Sequence, residues 1–83
     1  MAPSDGAANV ELFRTLGPKA RRVALAFCTD PRPYKQLAPV LGMSHQMVKW
    51  YANYICQRRL GLRGGRLELT QLYWAERLRS AKL

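Results

Sequence analysis

The sequence predicts an all-α fold of four or five short helices in one small domain. Apolar residues recur at helical spacing in several segments, and no segment shows the alternating pattern of a strand or an Asn-Gly hairpin turn. A chain of 83 residues, 48% of them hydrophobic, is long enough for one core and too short for two large domains. We therefore expect a helical domain over residues 10–83, preceded by a flexible polar tail over residues 1–9.

The first half of the chain predicts three short helical segments. A leading helical turn is expected over residues 9–16, and a helix is expected from Pro18 to about residue 28, since proline is favoured at a first helical position. Two prolines forbid helix in the connector 30–33. The next helix is expected over about residues 34–41. Because Pro39 lies inside it, that helix is either very short or kinked.

A turn and a longer helix follow. Gly42 can adopt positive φ after a helix, and Ser44 can cap the helix that comes next. We expect that helix from about residue 45 to residue 60, and a last helix over about residues 66–81, after the Gly64-Gly65 break. A short helix, a tight turn containing glycine and a longer helix have the layout of a helix-turn-helix.

The longer helix has two faces at helical spacing. One is an apolar stripe that should pack inward, and it consists of Val48, Tyr51, Ala52 and Ile55. The other is polar and carries the candidate base-recognising residues Gln46, Lys49, Trp50 and Asn53, together with Gln57. Gln and Asn can form paired hydrogen bonds with adenine, and Lys can donate to guanine or phosphate. Trp50 can pack against a thymine methyl group or the sugar–phosphate wall. The alternative is an ordinary polar helix face, with Trp50 and Tyr54 buried against a neighbour.

The charge of the chain is strongly positive and concentrated in its middle. The formal net charge is +9, and eleven basic residues but only one acid, Asp30, lie between Arg14 and Arg66. This excess indicates a polyanionic partner, although a basic surface kept for solubility is the alternative. No stretch approaches the roughly 20 apolar residues of a membrane span, and the N-terminus lacks the pattern of a signal peptide. We expect no membrane partner and a cytoplasmic, nucleoid-associated location.

The residue types that catalysis or metal binding would need are sparse. The chain has two cysteines without a CxxC motif and one histidine, His45, so no metal and no cofactor are expected. Cys28 and Cys56 are expected to be reduced and buried. There is no glycine-rich phosphate loop and no nucleophile–base set at suggestive spacing, so we expect a protein that is not an enzyme.

Several short motifs, taken in order, resemble a known family. They are Leu-Gly-Pro-Lys at 16–19, Lys-Gln-Leu-Ala at 35–38 with Leu-Gly-Met-Ser at 41–44, Val-Lys at 48–49, and Leu-Gly-Leu at 60–62 before Arg-Leu-Glu-Leu at 66–69. This series resembles the LuxR/GerE/FixJ-type DNA-binding domain, a four-helix helix-turn-helix module of bacterial transcription regulators, over about two thirds of the chain. The departures are Ala20 in place of a common Glu, Pro39 in the scaffold helix, two extra residues in the connector 30–33, and one extra residue near 58–60.

The resemblance implies roles for particular residues. Lys49 takes the place of the recognition-helix lysine, and Trp50 and Asn53 fall at positions that touch base edges in family members. The last helix often forms the dimer contact in this family, which assigns that role to Leu69, Leu72, Tyr73 and Trp74. Simple core packing explains the spacing of these four residues equally well.

The sequence therefore favours a sequence-specific, double-stranded DNA-binding transcription regulator that binds DNA as a homodimer. Its expected phosphate contacts are Arg21, Arg22, Lys35, Ser44, Arg58, Arg63 and Arg66. One alternative is a protein-interaction module that pairs with a larger regulator or with RNA polymerase through the last helix. Another is a helix-turn-helix protein of DNA packaging or recombination. RNA or single-strand binding through Trp50, Tyr51 and Tyr54 is less favoured, because three clustered aromatic side chains on a helix should mostly face different directions.

Overall fold

The computed structural model describes residues 10–81, which form helices joined by short turns, with no strand in that range. A 3-10 turn, Glu11–Phe13, precedes helix α1 (Pro18–Thr29), helix α2 (Tyr34–Leu41) and helix α3 (His45–Asn53). A π-helical turn, Tyr54–Arg59, continues α3, and helix α4 (Gly65–Ala81) follows. The all-α prediction is confirmed for these residues. The predicted tail, residues 1–9, and the last two residues of the chain lie outside the described range.

Two elements differ from the expected ones. The leading segment does turn within the expected range, but as a 3-10 helix, Glu11–Phe13, followed by turn residues to Leu16, and not as an α-helical turn. The long helix keeps α-helical geometry only to Asn53, and its last turn is wider: the Leu60 N–H donates to the carbonyl of Ile55, five residues back, at 3.1 Å. Pro39 is accommodated because α2 has only eight residues. Pro39 has no N–H to donate to the Lys35 carbonyl, and both residues are exposed.

The core lies where α1 packs against α4 and where α2 and α3 pack against each other. Its largest fully buried side chains come from every element of the fold: Phe13, Val23, Phe27, Leu37, Val48, Ile55, Cys56, Leu69 and Tyr73. The ring of Phe13 stacks on that of Tyr73, with centroids 5.6 Å apart, so the N-terminal segment is packed onto α4. These contacts make residues 10–81 a single unit with one core.

Arg66 joins three elements at the start of α4. Its Nε donates to the carbonyl of Phe27 at 3.1 Å, and its Nη1 and Nη2 donate to the carbonyls of Arg32 and Asp30. The guanidinium also lies over the rings of Phe27 and Tyr34, 5.4 and 5.2 Å from their centroids. One side chain thus satisfies the carbonyls that the end of α1 and the connector leave without helical partners.

Three other side chains tie the N-terminal segment to the domain. Arg21 donates from Nε to the carbonyls of Leu16 and Phe13, at 2.8 and 3.2 Å. The carboxylate of Glu76 accepts the N–H of Leu12 at 2.9 Å and also that of Glu11. Arg59, in the π-helical turn, donates to the carbonyl of Thr15 at 2.7 Å. The segment before α1 is therefore held by α1, by α4 and by the end of the α3 segment.

Arg66→Met should lower the free energy of unfolding by about 2–4 kcal/mol, because the charge-assisted bonds to three backbone carbonyls, two of them partly buried, are lost while the apolar stem is kept. Chemical denaturation followed by circular dichroism measures the effect. Arg63→Met is the matched control, since Arg63 is exposed and a change within about 0.5 kcal/mol is expected there. An equal effect of the two substitutions would contradict the role given to Arg66.

Candidate nucleic-acid interface

The turn between α2 and α3 is fixed by bonds at both of its ends. Gly42 has φ +68°, the left-handed region that favours glycine, and its N–H donates to the carbonyl of Pro39 at 3.2 Å. The Met43 N–H donates to the carbonyl of Ala38 at 3.0 Å, which completes the helix end. The hydroxyl of Ser44 then accepts the Met47 N–H at 3.1 Å and caps α3. The start of α3 is thereby set relative to α2.

Helix α3 has one buried face and one exposed face, as its spacing predicts. Val48, Ala52 and Ile55 are buried in the core, and Tyr51 is half-buried. The opposite face is exposed and carries the four candidate base-recognising residues together with Gln57: Gln46, Lys49, Trp50 and Asn53. Within residues 10–81, Gln46, Lys49 and Asn53 have no side-chain hydrogen bond or ion pair, so their donors and acceptors are available to a ligand. Base contact by these residues stays a prediction.

The aromatic side chains of this segment pack on one another. Trp50 is 50% exposed, and its ring stacks on that of Tyr54, with centroids 5.0 Å apart and planes at 8°. The Tyr51 ring meets Trp50 edge-on, at 5.1 Å and 87°. The expectation that the three rings mostly face different directions is wrong for Trp50 and Tyr54, which are four residues apart and adjacent on the helix surface, and it holds for Tyr51, whose plane is at 87° to both. Burial of Trp50 against a neighbour is also not found.

Four of the predicted phosphate contacts are exposed basic side chains without a partner in residues 10–81. They lie on α1, on α2, in the π-helical turn and in the turn before α4: Arg22, Lys35, Arg58 and Arg63. Ser44 is exposed as well, and its hydroxyl hydrogen remains a possible donor because the bond to Met47 uses the oxygen as acceptor. These side chains are placed where an external anion can reach them.

Arg21 and Arg66 have a different role from the predicted one. All three nitrogens of the Arg66 guanidinium donate to backbone carbonyls, and the Nε and Nη2 of Arg21 donate to carbonyls of residues 13–16. Their positive charge still contributes to the field, but the side chains are engaged within the protein. No sequence signal separates these two arginines from the others.

The negative charges in the described range are engaged away from α3. The Arg32 guanidinium hydrogen-bonds Asp30 and lowers the pKa of that carboxyl to about 2. Glu11 pairs with Arg14, Glu68 accepts the Gly64 N–H, and Glu76 accepts two N–H groups of the N-terminal segment. No acid occurs in the sequence between residues 31 and 67. The α2–α3 unit is therefore positively charged and carries no acid that would oppose an anion.

The four residues assigned to a dimer contact do not share one exposed face. Leu69 and Tyr73 are fully buried in the core, which contradicts a contact with a second copy, while Leu72 and Trp74 are 40% and 45% exposed. At about 100° per residue, Trp74 lies on the same side of α4 as the exposed Leu67 and Leu78, and Leu72 lies on another. The apolar surface of α4 is the stripe of Leu67, Trp74 and Leu78, which the sequence pattern did not distinguish from the core.

Burial determines the chemistry of the two thiols. Cys28 and Cys56 are buried and unpaired, and burial raises the pKa of both, that of Cys28 to about 12. Among residues 10–81 no group of three or more His, Cys, Asp or Glu side chains is arranged to hold a metal ion. In the same range, no helix has both the length and the hydropathy that crossing a membrane requires.

Ser44→Ala should lower the free energy of unfolding by about 1 kcal/mol, because the Met47 N–H loses its acceptor at the start of α3. Thermal or chemical denaturation measures the change. Ser44→Thr is the control, since threonine keeps an acceptor oxygen and should restore most of the stability. The capping role would be contradicted by an alanine variant as stable as the wild type, or by a threonine variant that loses as much free energy of unfolding as the alanine variant.

Comparison of the chain with protein-family models, with curated proteins and with solved structures gives no match.

Proposed function

We propose that the chain is a sequence-specific, double-stranded DNA-binding transcription regulator that acts in the cytoplasm, at the nucleoid. In this proposal α2, the turn 42–44 and α3 are a helix-turn-helix, and α3 enters the major groove. The observation that carries it is the exposed face of Gln46, Lys49, Trp50 and Asn53, opposite a buried apolar stripe and within a stretch of chain that has no acid. The order of the sequence motifs further supports a domain of the LuxR/GerE/FixJ type.

The dimensions and chemistry of this face match the edges of base pairs. Gln46 and Asn53 are seven residues apart, about 10.5 Å along the helix at 1.5 Å per residue. That length corresponds to about three base pairs at 3.4 Å each. Each of the two side-chain amides can form a pair of hydrogen bonds with an adenine, and Lys49 can donate to guanine. The face therefore offers contacts that depend on the base sequence as well as positive charge.

The exposed basic side chains supply the contacts that do not depend on sequence. Four exposed basic side chains lie on the elements around α3: Arg22, Lys35, Arg58 and Arg63. Three of the four are arginines, and the planar guanidinium group of arginine fits phosphate oxygens. The Ser44 hydroxyl is a further phosphate donor. These contacts would set the position of the protein on the duplex, while the face of α3 distinguishes the bases.

Two copies are proposed to bind together through the stripe of Leu67, Trp74 and Leu78. An exposed apolar stripe along a helix is typical of a surface that a partner covers, and a two-fold pair would place two α3 helices on an inverted repeat. Selection of bound sequences from random duplex DNA, with sedimentation to count protomers, tests both points. An enriched inverted repeat and a dimer on DNA are expected.

Asn53→Ala should weaken binding to the selected duplex by about 1–3 kcal/mol and leave binding to random duplex nearly unchanged, because an adenine contact is lost. Fluorescence anisotropy with labelled duplexes at several salt concentrations measures both affinities. Unchanged binding to both duplexes would contradict the assignment of the α3 face.

Arg58→Ala is the matched variant for the phosphate contacts. It should weaken binding to selected and random duplexes alike, and it should reduce the slope of log affinity against log salt by about one. If instead Arg58→Ala removed the preference for the selected duplex, the division between positioning and base recognition would be wrong.

The same stripe on α4 favours a second candidate, a module that pairs with a larger regulator or with RNA polymerase. The two candidates differ in what the purified chain does by itself. Salt-dependent binding to duplex DNA supports the regulator, whereas DNA binding that requires an added protein supports the pairing module.

A further inference from the structure

We propose that the stacked pair of Trp50 and Tyr54 recognises the C5 methyl group of thymine, so that the DNA sites contain an A·T pair opposite the middle of α3. This inference rests on the proposed function and specifies which base pairs the exposed face selects. It assigns to the aromatic pair a role in specificity beyond general affinity for DNA.

The Trp50 ring is held in one place before any ligand binds. Tyr54 covers one of its faces at 5.0 Å, and Tyr51 meets it edge-on at 5.1 Å. The backbone beneath is anchored by Val48 and Ile55, both fully buried. Half of the Trp50 surface nevertheless remains exposed, on a side of the helix that carries polar residues and one other exposed apolar residue, Met47. A large, preordered apolar surface at such a position indicates a ligand with an apolar group at the matching place.

Among the groups that base pairs present in the major groove, the apolar one is the thymine methyl. The other groups that specify bases there are hydrogen-bond donors and acceptors, which an indole face satisfies only weakly. Asn53 lies three residues after Trp50, about 4.5 Å along the helix, close to the 3.4 Å rise of one base pair. Trp50 and Asn53 therefore face the same or neighbouring base pairs. A thymine methyl for the ring and an adenine edge for the amide are together what A·T pairs provide.

The geometry of the stack disfavours insertion of a base between the two rings. Their centroids are 5.0 Å apart, whereas a base inserted between two rings requires about 6.8 Å, twice the stacking distance. Only the outer face and edge of Trp50 are available. A methyl group projecting from a base edge can reach that surface without unstacking the duplex.

Replacement of thymine by uracil in the selected duplex tests this directly, because uracil lacks only the methyl group. Uracil is placed at one thymine position at a time, and affinity is measured by anisotropy. The wild-type chain should lose about fourfold in affinity at the position or positions facing Trp50, the value of one buried methyl group. Trp50→Ala should bind thymine and uracil duplexes equally. Val40→Ala, which shortens an exposed apolar side chain on α2 outside the proposed contacts, should keep the response to uracil. Circular dichroism shows whether each variant is folded.

Two results overturn the methyl contact while leaving DNA recognition intact: indifference of the wild type to uracil at every position, or a Trp50→Ala variant that still responds to uracil. Tighter binding to single strands than to duplexes of the same sequence overturns it in favour of base stacking on Trp50. If no duplex sequence is enriched at all, the proposed function fails, and the methyl contact fails with it.

Discussion

The contacts of Arg66 are the constraint on which the rest of the fold depends. α1 ends at Thr29, and a proline-containing connector leads to α2. The carbonyls of Phe27, Asp30 and Arg32 therefore have no backbone N–H donor within a helix. The guanidinium of Arg66 donates hydrogen bonds to all three carbonyls and lies against the rings of Phe27 and Tyr34. Because Arg66 lies in the first turn of α4, the end of α1, the start of α2 and the start of α4 meet at one charged group.

That junction places the α2–α3 unit on the framework of α1 and α4. The orientation of α3 then follows from the Gly42 turn, the Ser44 cap and the burial of Val48 and Ile55. With one face of α3 fixed against the core, the other is fixed toward solvent. The acids within residues 10–81 are used for caps and local pairs, so the exposed face lies in a positive field. This arrangement supports the proposal that basic side chains position the duplex and that α3 distinguishes the bases.

The element boundaries and the two faces of α3 could be predicted from sequence because they depend on local rules. Pro18, Gly42 and Ser44 lie at helix ends, where backbone geometry favours those residue types. A rotation of 100° per residue places Val48 and Asn53 on different faces of α3. The roles of Arg21 and Arg66 could not be predicted, since the carbonyls that Arg66 bonds lie up to 39 residues away in sequence.

On α4, helical spacing alone left open which leucines face the core. Packing of α4 against α1 and against the N-terminal segment decides this: Leu69 and Tyr73 are buried, whereas Leu67, Trp74 and Leu78 are exposed. The π-helical turn was likewise hidden in the pattern, because one wider turn changes hydrogen bonding but hardly changes composition. Both features depend on tertiary contacts, which the periodicity of the sequence does not contain.

We propose that the exposed face of α3 is the surface that contacts DNA. The most direct measurement is a titration of the isotope-labelled chain with the selected duplex, followed by NMR chemical shifts. The largest changes are expected at the side-chain amides of Gln46 and Asn53 and at the indole N–H of Trp50, while the indole N–H of Trp74 should change little beyond any effect of dimer formation. Changes concentrated on α4, with the α3 face unaffected, would contradict this proposal.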